Sequence, residues 1–412
     1  DRFGEVFRER SVANTQSYSL SLQNWHNLQA EISYIHRQRD FSDSLSQNTR
    51  TDLAEVRLGY QNWQRAVQAD ARYQITNSQV NRQERVFLPV REGDGNYRFD
   101  EALGEFVTDP FGDFILRLVP TEEFLPVAEL RSRLNLRLRP NLAYRRLENP
   151  NRWQKILSAI SSETVLRIEE KSRDPEVREI YLFNFSHFQN SEFTLFGTIA
   201  LTQDFYLFEN RRDFSLRYRL ASSKDLNNQF LEGEQRRRQI QHELRVNAAL
   251  SAEVAGQVEL IRTIEDRRFA QAGRADRLVR GWRGEGDLSW RPRSRLEMAL
   301  KGIFGIDRDQ APTPATKVTR VTLKPRAVYS FSGRGQFRGE LDFTDVRAEP
   351  GNRVIPFELA QGNRVGRTFR WDVSFIYRVS TNLQASLSYQ GRDEPQRPRT
   401  LHIAKAEVRA FF

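Results

Sequence analysis

The strongest constraint in this sequence is a hydrophobic period of two residues, which recurs along almost the whole chain. Between residues 382 and 391, Leu383, Ala385, Leu387 and Tyr389 alternate with polar residues. Because successive side chains of a β-strand point to opposite faces, each such segment predicts a strand with one apolar and one polar face. We find about nineteen segments of this kind, which predicts a large antiparallel β structure.

These segments are spread evenly over the chain. The clearest alternation lies at 18–23, 28–37, 53–61, 67–76, 130–139, 193–202, 214–221, 244–250, 254–261, 282–291, 295–306, 321–332, 337–344, 369–379 and 382–391. Weaker alternation predicts strands at 112–120, 162–172, 177–188 and 400–412. Residues 150–161 break the pattern, because Trp153, Ile156, Leu157 and Ile160 have helical spacing. They predict one short helix inside a loop.

Short and long connections alternate between the segments. The short ones lie near Asn24–Asn27, Gln64–Arg65, Arg173–Glu176, Ser251–Ala252, Pro292–Ser294, Gly333–Gly335 and Ser380–Thr381. The long, polar ones lie near 42–49, 91–111, 141–161, 223–234, 267–277, 308–316, 347–366 and 392–399. Long connections at one end only are typical of an up-and-down barrel in an outer membrane. We therefore predict an all-β fold, a large antiparallel up-and-down transmembrane β-barrel of about 18–20 strands, formed by a single domain over residues 1–412.

The composition excludes several classes of protein. The chain has no cysteine, which excludes disulfides, thiolate metal sites and a cysteine nucleophile. Its formal net charge is +10, and seven lysines leave 57 arginines among the 64 basic residues. These arginines are interleaved with Asp and Glu along the whole chain, which argues against a nucleic-acid-binding patch. No stretch has the roughly 18 consecutive apolar residues of a transmembrane helix.

Alternation alone does not say which face of each strand points inward. A dense mixture of arginine and carboxylate on the polar face favours a wet lumen, although a solvated outer face has the same pattern. Aromatic residues near both ends of the strands favour two membrane interfaces, although strands favour such residues in any case. Those near short connections are Trp25, Trp63, Trp290, Tyr329, Phe331, Phe337, Phe411 and Phe412, and those near long connections are Trp282, Phe369 and Trp371.

In the barrel interpretation, the charged face lines a lumen in which arginines and carboxylates satisfy each other. The basic candidates for this lining are Arg57, Arg72, Arg131, Arg133, Arg137, Arg217, Arg219, Arg245, Arg283, Arg326, Arg338, Arg370 and Arg378. The acidic candidates are Glu55, Asp70, Glu129, Glu243, Glu285, Asp287, Glu340 and Asp372. The excess of arginine predicts a pore that favours anions.

The end of the chain carries a resemblance to a known family. Within residues 400–412, Ala404, Ala406, Val408, Ala410 and Phe412 share one face. A last strand that ends on phenylalanine resembles the C-terminal assembly signal of bacterial outer-membrane β-barrel proteins. The resemblance implies that outer-membrane lipid and the barrel insertion machinery are partners, with Val408, Ala410 and Phe412 as the signal.

Residues 91–114 offer a second feature, rich in Gly, Asp and aromatic residues. Asp94, Asn96 and Asp100 are a weak calcium candidate, because the spacing lacks the glycine and the closing glutamate of an EF-hand. The favoured alternative is a turn loop packed by its aromatic residues, Tyr97, Phe99, Phe106 and Phe111. The segment also resembles a Gly-x-Gly-x-Tyr … Asp-Pro-x-Gly-x-Tyr/Phe element of surface-exposed Bacteroidota proteins, including the barrel of the type IX secretion translocon. That resemblance implies lineage and location more than activity.

No motif supports an enzyme or a cofactor site. The chain has no nucleophile elbow, phosphate-binding loop or dinucleotide-binding turn. Its five histidines stand singly, at His26, His36, His187, His242 and His402. We therefore expect neither a catalytic residue nor a cofactor.

Strand direction adds a further expectation. If the C-terminus is periplasmic, counting back through the connections makes the strand near 14–23 run inward as well. Bacterial barrels normally have an even number of strands that start and end in the periplasm. Either residues 1–13 hold another strand, or the count is off by one, or the chain is the C-terminal part of a longer protein, which we favour.

Two hypotheses about function follow. The first is an outer-membrane barrel that acts as a passive, anion-favouring pore or as the membrane anchor of a larger secretion or surface assembly, with long loops that can bind protein partners. The second is a soluble or surface-attached β-protein that binds acidic polymers through its arginine-rich face. The aromatic residues lie on the face opposite the arginines, which counts against stacking on nucleic-acid bases.

Overall fold

The structure is a computed structural model of the chain. It describes residues 2–3, 6–7, 11–42, 49–101, 104–144, 151–209, 211–230, 233–271, 275–331, 333–351, 355, 359, 361, 363–395 and 399–411. The strands of this part are β1 Arg2–Phe3, β2 Val6–Phe7, β3 Ser11–Trp25, β4 Leu28–Phe41, β5 Thr49–Asn62, β6 Val67–Pro89, β7 Gly95–Asp100, β8 Glu105–Gly112, β9 Phe114–Leu138, β10 Ile160–Ser172, β11 Thr194–Leu207, β12 Phe214–Asn227, β13 Gln235–Ala249, β14 Val254–Phe269, β15 Arg277–Arg293, β16 Leu296–Asp309, β17 Thr316–Phe331, β18 Gly335–Glu349, β19 Gly366–Ser380, β20 Leu383–Asp393 and β21 Leu401–Ala410. The helices are α1 Pro140–Tyr144, α2 Arg152–Ala159 and α3 Val177–Tyr181.

One large antiparallel sheet of 17 strands contains β3–β6 and β9–β21. β6 pairs directly with β9, and the β7–β8 hairpin lies between them in the chain. The strand order is that of a closed barrel, with β21 next to β3 at the seam. At that seam the described residues of β3 and β21 have no register with each other, and both strands are exposed along most of their length.

The barrel prediction is confirmed, with two corrections in strand assignment. The predicted strands 112–120 and 130–139 are parts of one long strand, β9, which begins at Phe114 and ends at Leu138. Residues 177–188 do not form a strand, because α3 and a series of turns occupy them. Val177, Ile180 and Tyr181 have the spacing of one helical face, which overrides the weak alternation. These differences explain why the sheet has fewer strands than the predicted 18–20.

The two ends of the sheet differ as the connections predict. One end, the short-turn end, has tight turns at 26–27, 63–66, 251–253, 294–295 and 381–382. The other, the long-loop end, has the longer connections. The predicted short turn at Arg173–Glu176 is wrong, because it opens the longer connection 173–193 that contains α3. The connection 139–159 is a long one at the short-turn end, where it holds α1 and α2.

The predicted loop helix is confirmed as α2. Asn151 caps it: its Oδ1 accepts from the backbone N–H of Gln154, while Gln154 Oε1 accepts from the backbone N–H of Asn151, both at 2.8 Å. This reciprocal capping box satisfies backbone donors that a helix start leaves free. The helix ends at Ala159, so Ile160 is the first residue of β10 and not the last residue of the helix. No helix in the described ranges is long and apolar enough to cross a membrane.

The sheet has an apolar face and a charged face, and the apolar one is outside. Leu20, Val258 and Phe304 on the apolar face are 71%, 55% and 51% exposed. Glu55 and Glu243 on the charged face are buried. Charged side chains are rarely buried unless they are paired, so the charged face encloses the interior. Val408 and Ala410 lie on the apolar face of β21, and Phe412 lies outside the described residues.

Two connections at the long-loop end fold back on opposite faces of the sheet. Ile180 and Phe188 of the connection 173–193 pack on Leu130 and Ile168 of the apolar face, outside the barrel. In contrast, Leu359 packs with a valine cluster of the charged face, inside the barrel. That cluster consists of Val279, Val318 and Val346.

The direction of the strands agrees with the sequence analysis. Neighbours alternate in direction through 17 strands, so β3 and β21 run the same way, toward the short-turn end. Of the residues before β3 that the structure describes, β1 and β2 pair only with each other. They therefore supply no further barrel strand.

Candidate functional site

The candidate site is the charged interior of the barrel. Every predicted lining residue falls on the charged face in the strand registers. Across β5, β6 and β9, for example, Arg57 lies opposite Arg72, which lies opposite Arg133. Among the strand residues of this face that the structure describes, basic side chains outnumber acidic ones.

The first cluster lies on β5 and β6. Glu55 accepts hydrogen bonds from Arg57 and from Arg72 Nη2, the latter at 3.2 Å, and Arg72 Nε lies 2.7 Å from the same carboxylate. Both guanidinium groups are half exposed, whereas the carboxylate is buried. Arg57, Arg72, Asp70 and Arg133 line a cavity of about 760 Å³ beside the β3–β4 turn. Four of the predicted lining residues therefore meet at one cavity.

A second cluster spans β12, β13 and β14. Glu243 is buried between Arg217 and Arg245, and Arg245 Nη2 lies 3.2 Å from its carboxylate. Arg245 Nε also donates to Glu259 Oε2 at 2.7 Å. The four side chains form a chain of alternating charge across three strands, which is how buried ions keep their partners.

A third cluster lies on β15 and β16, and a pair lies on β18. The Glu285 carboxylate forms ion pairs with Arg283, whose Nε lies 2.8 Å away, and with Lys301, whose Nζ lies 2.6 Å away. Arg338 pairs with Glu340, two residues away on the same strand, at 2.8 Å. Residues two apart share a face of a strand, so an acid–base pair at this spacing needs no second strand.

Most of the other predicted residues have single partners. The contacts are Arg131 with Glu129 at 2.5 Å, Arg326 with Glu297 at 3.1 Å, Arg370 with Asn363 at 2.8 Å, Asp372 with Gln390 at 2.6 Å and Arg219 with Asp204 at 2.8 and 2.9 Å. Within the described ranges, Asp287 and Arg378 form no ion pair. The prediction missed Asp204, Glu259, Glu297 and Lys301, although each is in phase with the charged face and the alternation could have found them.

A carboxylate in the connection 208–213 ties the interior to the short-turn end. Glu209 accepts from Arg137 at 3.0 Å, from Arg139 at 3.4 Å and from Ser161 Oγ at 2.6 Å. Burial pushes the pKa of Glu209 upward, but the Ser161 hydroxyl and the two guanidinium groups outweigh burial and hold that pKa below its usual range. Glu209 therefore stays ionised at neutral pH and keeps both arginines in place.

At the long-loop end, a two-stranded arm leaves the sheet. The neighbours of β6 and β9 stop pairing at Asn77 and Ala128, while β6 and β9 continue to pair up to Pro89 with Phe114. The β7–β8 hairpin forms the tip, so the predicted long loop at 91–111 is largely β structure. We call residues 78–127 the arm.

Aromatic packing holds the tip of the arm together, as the sequence analysis favoured. The rings of Phe87 and Phe106 stack with centroids 3.9 Å apart. Tyr97 and Phe99 each contact one of these two rings. The side chain of Phe111 lies outside what the structure describes. The calcium candidate stays a prediction: Asp100 pairs with Arg98 at 2.9 Å, and the described ranges contain no metal-binding group of three His, Asp or Glu residues.

The tip of the arm rests on β20 and β21, which lie beyond β5, β4 and β3 in the strand order. Asp109 of β8 pairs with Arg392 of β20, which also contacts Glu394, and all three side chains are buried. Gly93 packs on Leu401 and Ile403 of β21, where a Cβ atom would come within 2.7 Å of Ile403 Cδ1. Arg392 lies on the charged face, opposite Leu401.

Between its base and its tip, the arm also touches the connection after β12. Gln83 forms a β-bridge with Phe230, and the Arg85 guanidinium lies 3.7 Å above the Phe230 ring. The arm therefore starts at β6 and β9, passes the β12–β13 connection and ends against β20 and β21. These contacts carry it across the long-loop mouth of the barrel.

Comparison with known proteins finds only distant structural similarity. No protein-family model and no curated protein matches the chain. Among solved structures, it is similar to the copper transporter OprC (10% identity, TM-score 0.45), the ferric-catecholate import receptor Fiu of E. coli K12 (8%, 0.40) and the ferric yersiniabactin uptake receptor FyuA of Yersinia pestis (9%, 0.37). The matches cover 97%, 93% and 97% of this chain and 64%, 64% and 71% of those proteins. Because the identities are 8–10% and the TM-scores are 0.37–0.45, the fold assignment rests on the strand pairing of the chain itself.

Proposed function

We propose that this chain is a bacterial outer-membrane β-barrel that provides a passage for small anions. The observation that carries the proposal is the reversed distribution of polarity: the apolar face is exposed on the outside, and ion-paired charges fill the inside. In water such an outer surface would be a very large exposed apolar patch, which soluble monomers rarely tolerate. Lipid is the environment that matches it.

The band of outer residues has the features that a bilayer requires. In the short-turn halves of β13–β17, Arg293 is the single charged residue on the apolar face, and it lies at the very end of β15, opposite Leu296. Trp25, Trp63 and Trp290 are exposed at the short-turn end, and Trp282 and Phe369 are exposed nearer the long-loop end. Aromatic girdles at both interfaces are typical of membrane barrels. Outer-membrane lipid and the barrel insertion machinery are accordingly the proposed partners.

The alternative of a soluble protein that binds acidic polymers is disfavoured. Its binding surface would be the arginine-rich face, and that face encloses the interior, where Arg217 and Arg245 are engaged with buried carboxylates. A polymer would have to enter the barrel to reach them. A small anion meets no such obstacle, and the excess of basic over acidic side chains on this face favours it.

The arm gives specific support to a second candidate, a membrane anchor for a larger assembly. It crosses the long-loop mouth and is fixed there by the Asp109–Arg392 pair, so it narrows the entrance that a solute would use. An anchor needs a closed barrel and exposed loops but no open passage. Both candidates share the membrane location and differ in conductance.

The membrane location is tested first, by cell fractionation combined with heat-modifiable mobility in detergent gels. The passage is then tested in planar bilayers under a tenfold KCl gradient, where we expect a reversal potential of the sign that chloride preference gives. Arg72→Gln with Arg133→Gln should move that potential toward cations. Arg65→Gln with Arg334→Gln, which removes the same charge from exposed turns at the short-turn end, should not. Cation preference would refute the anion passage, and a barrel that inserts without conducting would support the anchor.

A further inference from the structure

The charges on the outer surface of the barrel are concentrated at one end. On the apolar face of β13–β17 all but one lie in the long-loop halves of the strands, and the exception is Arg293 at the short-turn end of β15. Those in the long-loop halves are Arg236, Arg238, Arg262, Asp266, Arg268, Arg280, Arg308 and Lys317. Basic residues dominate this set, so the long-loop rim of the apolar band in these strands is cationic.

Three of these cations stand side by side. Arg280 of β15 lies directly opposite Arg308 of β16, and Arg308 lies directly opposite Lys317 of β17. Directly opposite side chains on paired strands have Cβ atoms about 4.5–5.5 Å apart, and like charges at that spacing repel. The sheet therefore holds a row of three mutually repelling cations.

The row has too little counter-charge within the protein. Lys317 Nζ lies 3.5 Å from Glu349, whose side chain is mostly exposed. Arg280 and Arg308 are exposed, and neither has a carboxylate partner within the described ranges. Elsewhere most arginines of the charged face pair with Glu or Asp. An anion from outside the protein would supply what this row lacks.

The surroundings of the row identify the kind of anion. Trp282 follows Arg280 by two residues, a step of about 6.6 Å along a strand, and is 59% exposed. Trp282 lies directly opposite Ile306 of β16 and Arg262 of β14, and the Arg262 guanidinium lies 5.3 Å from the centre of the Trp282 ring. Phe304 and Val321, one step further from the row on β16 and β17, lie opposite each other and are also exposed. The row thus stands above an exposed surface that is mostly apolar, at the boundary between headgroups and acyl chains in the proposed orientation.

We propose that Arg280, Arg308 and Lys317 bind the phosphate group of a membrane lipid whose acyl chains lie along Trp282 and Phe304. Guanidinium groups match phosphate oxygens with paired donors, and the ammonium of Lys317 adds a third positive charge. The site uses both halves of the lipid, because its cations and its apolar surface are continuous. The inference rests on the proposed membrane location.

The test measures binding of dioleoyl phosphatidic acid, dioleoyl phosphatidylcholine and inorganic phosphate to the full chain in dodecyl maltoside, by native mass spectrometry. We expect Arg280→Gln with Arg308→Gln to weaken phosphatidic acid binding about tenfold or more, equivalent to about 1.4 kcal/mol. The control, Arg65→Gln with Arg334→Gln, removes equal charge from the opposite end and should leave binding unchanged. Phosphatidylcholine should bind more weakly than phosphatidic acid, because its choline offsets the phosphate charge.

Two outcomes would overturn the lipid site. If both double variants lose phosphatidic acid binding equally, the loss reflects the total charge of the protein and not this site. If inorganic phosphate binds as tightly as phosphatidic acid, the acyl chains have no role in binding. Flotation of the wild type and both variants with phosphatidylcholine liposomes separates this question from the proposed function. Failure to float refutes the membrane location, whereas flotation without phosphatidic acid preference refutes only the lipid site.

Discussion

Replacing Arg392 by alanine should release the arm from the barrel mouth. Arg392 is 1% exposed and is held between Asp109, which is fully buried, and Glu394. Removal of one partner from a buried ion pair costs about 3–5 kcal/mol. Asp109 keeps a second guanidinium, that of Arg98, whose Nε lies 3.4 Å from its carboxylate, so we expect a cost at the lower end, about 3 kcal/mol. A shift of about 3 kcal/mol changes the ratio of docked to undocked arms by roughly two powers of ten.

The assay is single-channel conductance of the wild type and Arg392→Ala in planar bilayers. We expect larger or more frequent open events in the variant, since the arm no longer crosses the mouth. The chain has no natural cysteine, so Gln83→Cys with Phe230→Cys can lock the arm at its β-bridge in the same background. The locked variant should conduct as the wild type does until a reductant is added.

Identical conductance in the wild type, in Arg392→Ala and in the reduced lock would refute the reasoning, provided that all three barrels insert. Conductance that rises in Arg65→Ala as well would also count against it. Arg65 is exposed in the β5–β6 turn at the opposite end of the barrel, and its loss should leave the arm in place.

Three further predictions test the orientation of the faces and the packing of the connection 173–193. Leu260→Arg on the apolar face should lower barrel stability in lipid vesicles by about 2–4 kcal/mol in urea titrations, and Gln257→Arg on the charged face should have little effect; equal effects would contradict the outward apolar face. The hydrogen bond to Asp174, 2.9 Å away, raises the pKa of His187. The His187–Asp174 hydrogen bond therefore stabilises the connection 173–193 fully below the ordinary histidine pKa of about 6.5. This stabilisation is lost as the pH rises through the raised pKa of His187. Proteolysis of this connection should accelerate at alkaline pH in the wild type, and a pH dependence that survives in Asp174→Asn would contradict this role. Ile180→Ala should cost about 2–5 kcal/mol of local stability and reduce hydrogen-exchange protection at 177–188, whereas unchanged protection would show that the segment is held otherwise.

The period of two was sufficient to predict the barrel, the faces of its strands and most members of its charged clusters, although Glu259 and Lys301 were missed. Glu55, Arg57 and Arg72 illustrate why: the phase of each residue follows from its own strand, and neighbouring strands pair in order. The arm could not be predicted in this way. Its anchor joins Asp109 to Arg392, 283 residues apart, and no local pattern carries a contact of that range. The strand predicted at 177–188 was wrong for a different reason, because helical spacing and strand alternation overlap within a few residues there.

The direction of the faces was harder to predict than their existence, yet the sequence contains a signal for it. Acid and base residues two apart, such as Arg283 with Glu285 and Arg338 with Glu340, place opposite charges side by side on one face. On a solvated face such pairing gains only about 0–1 kcal/mol, so selection for it is weak. A charge that is buried inside a barrel, such as that of Glu243, needs a partner, since an unpaired buried charge costs several kcal/mol. Frequent acid–base pairing at this spacing therefore favours an enclosed charged face, and with it an outer surface made for lipid.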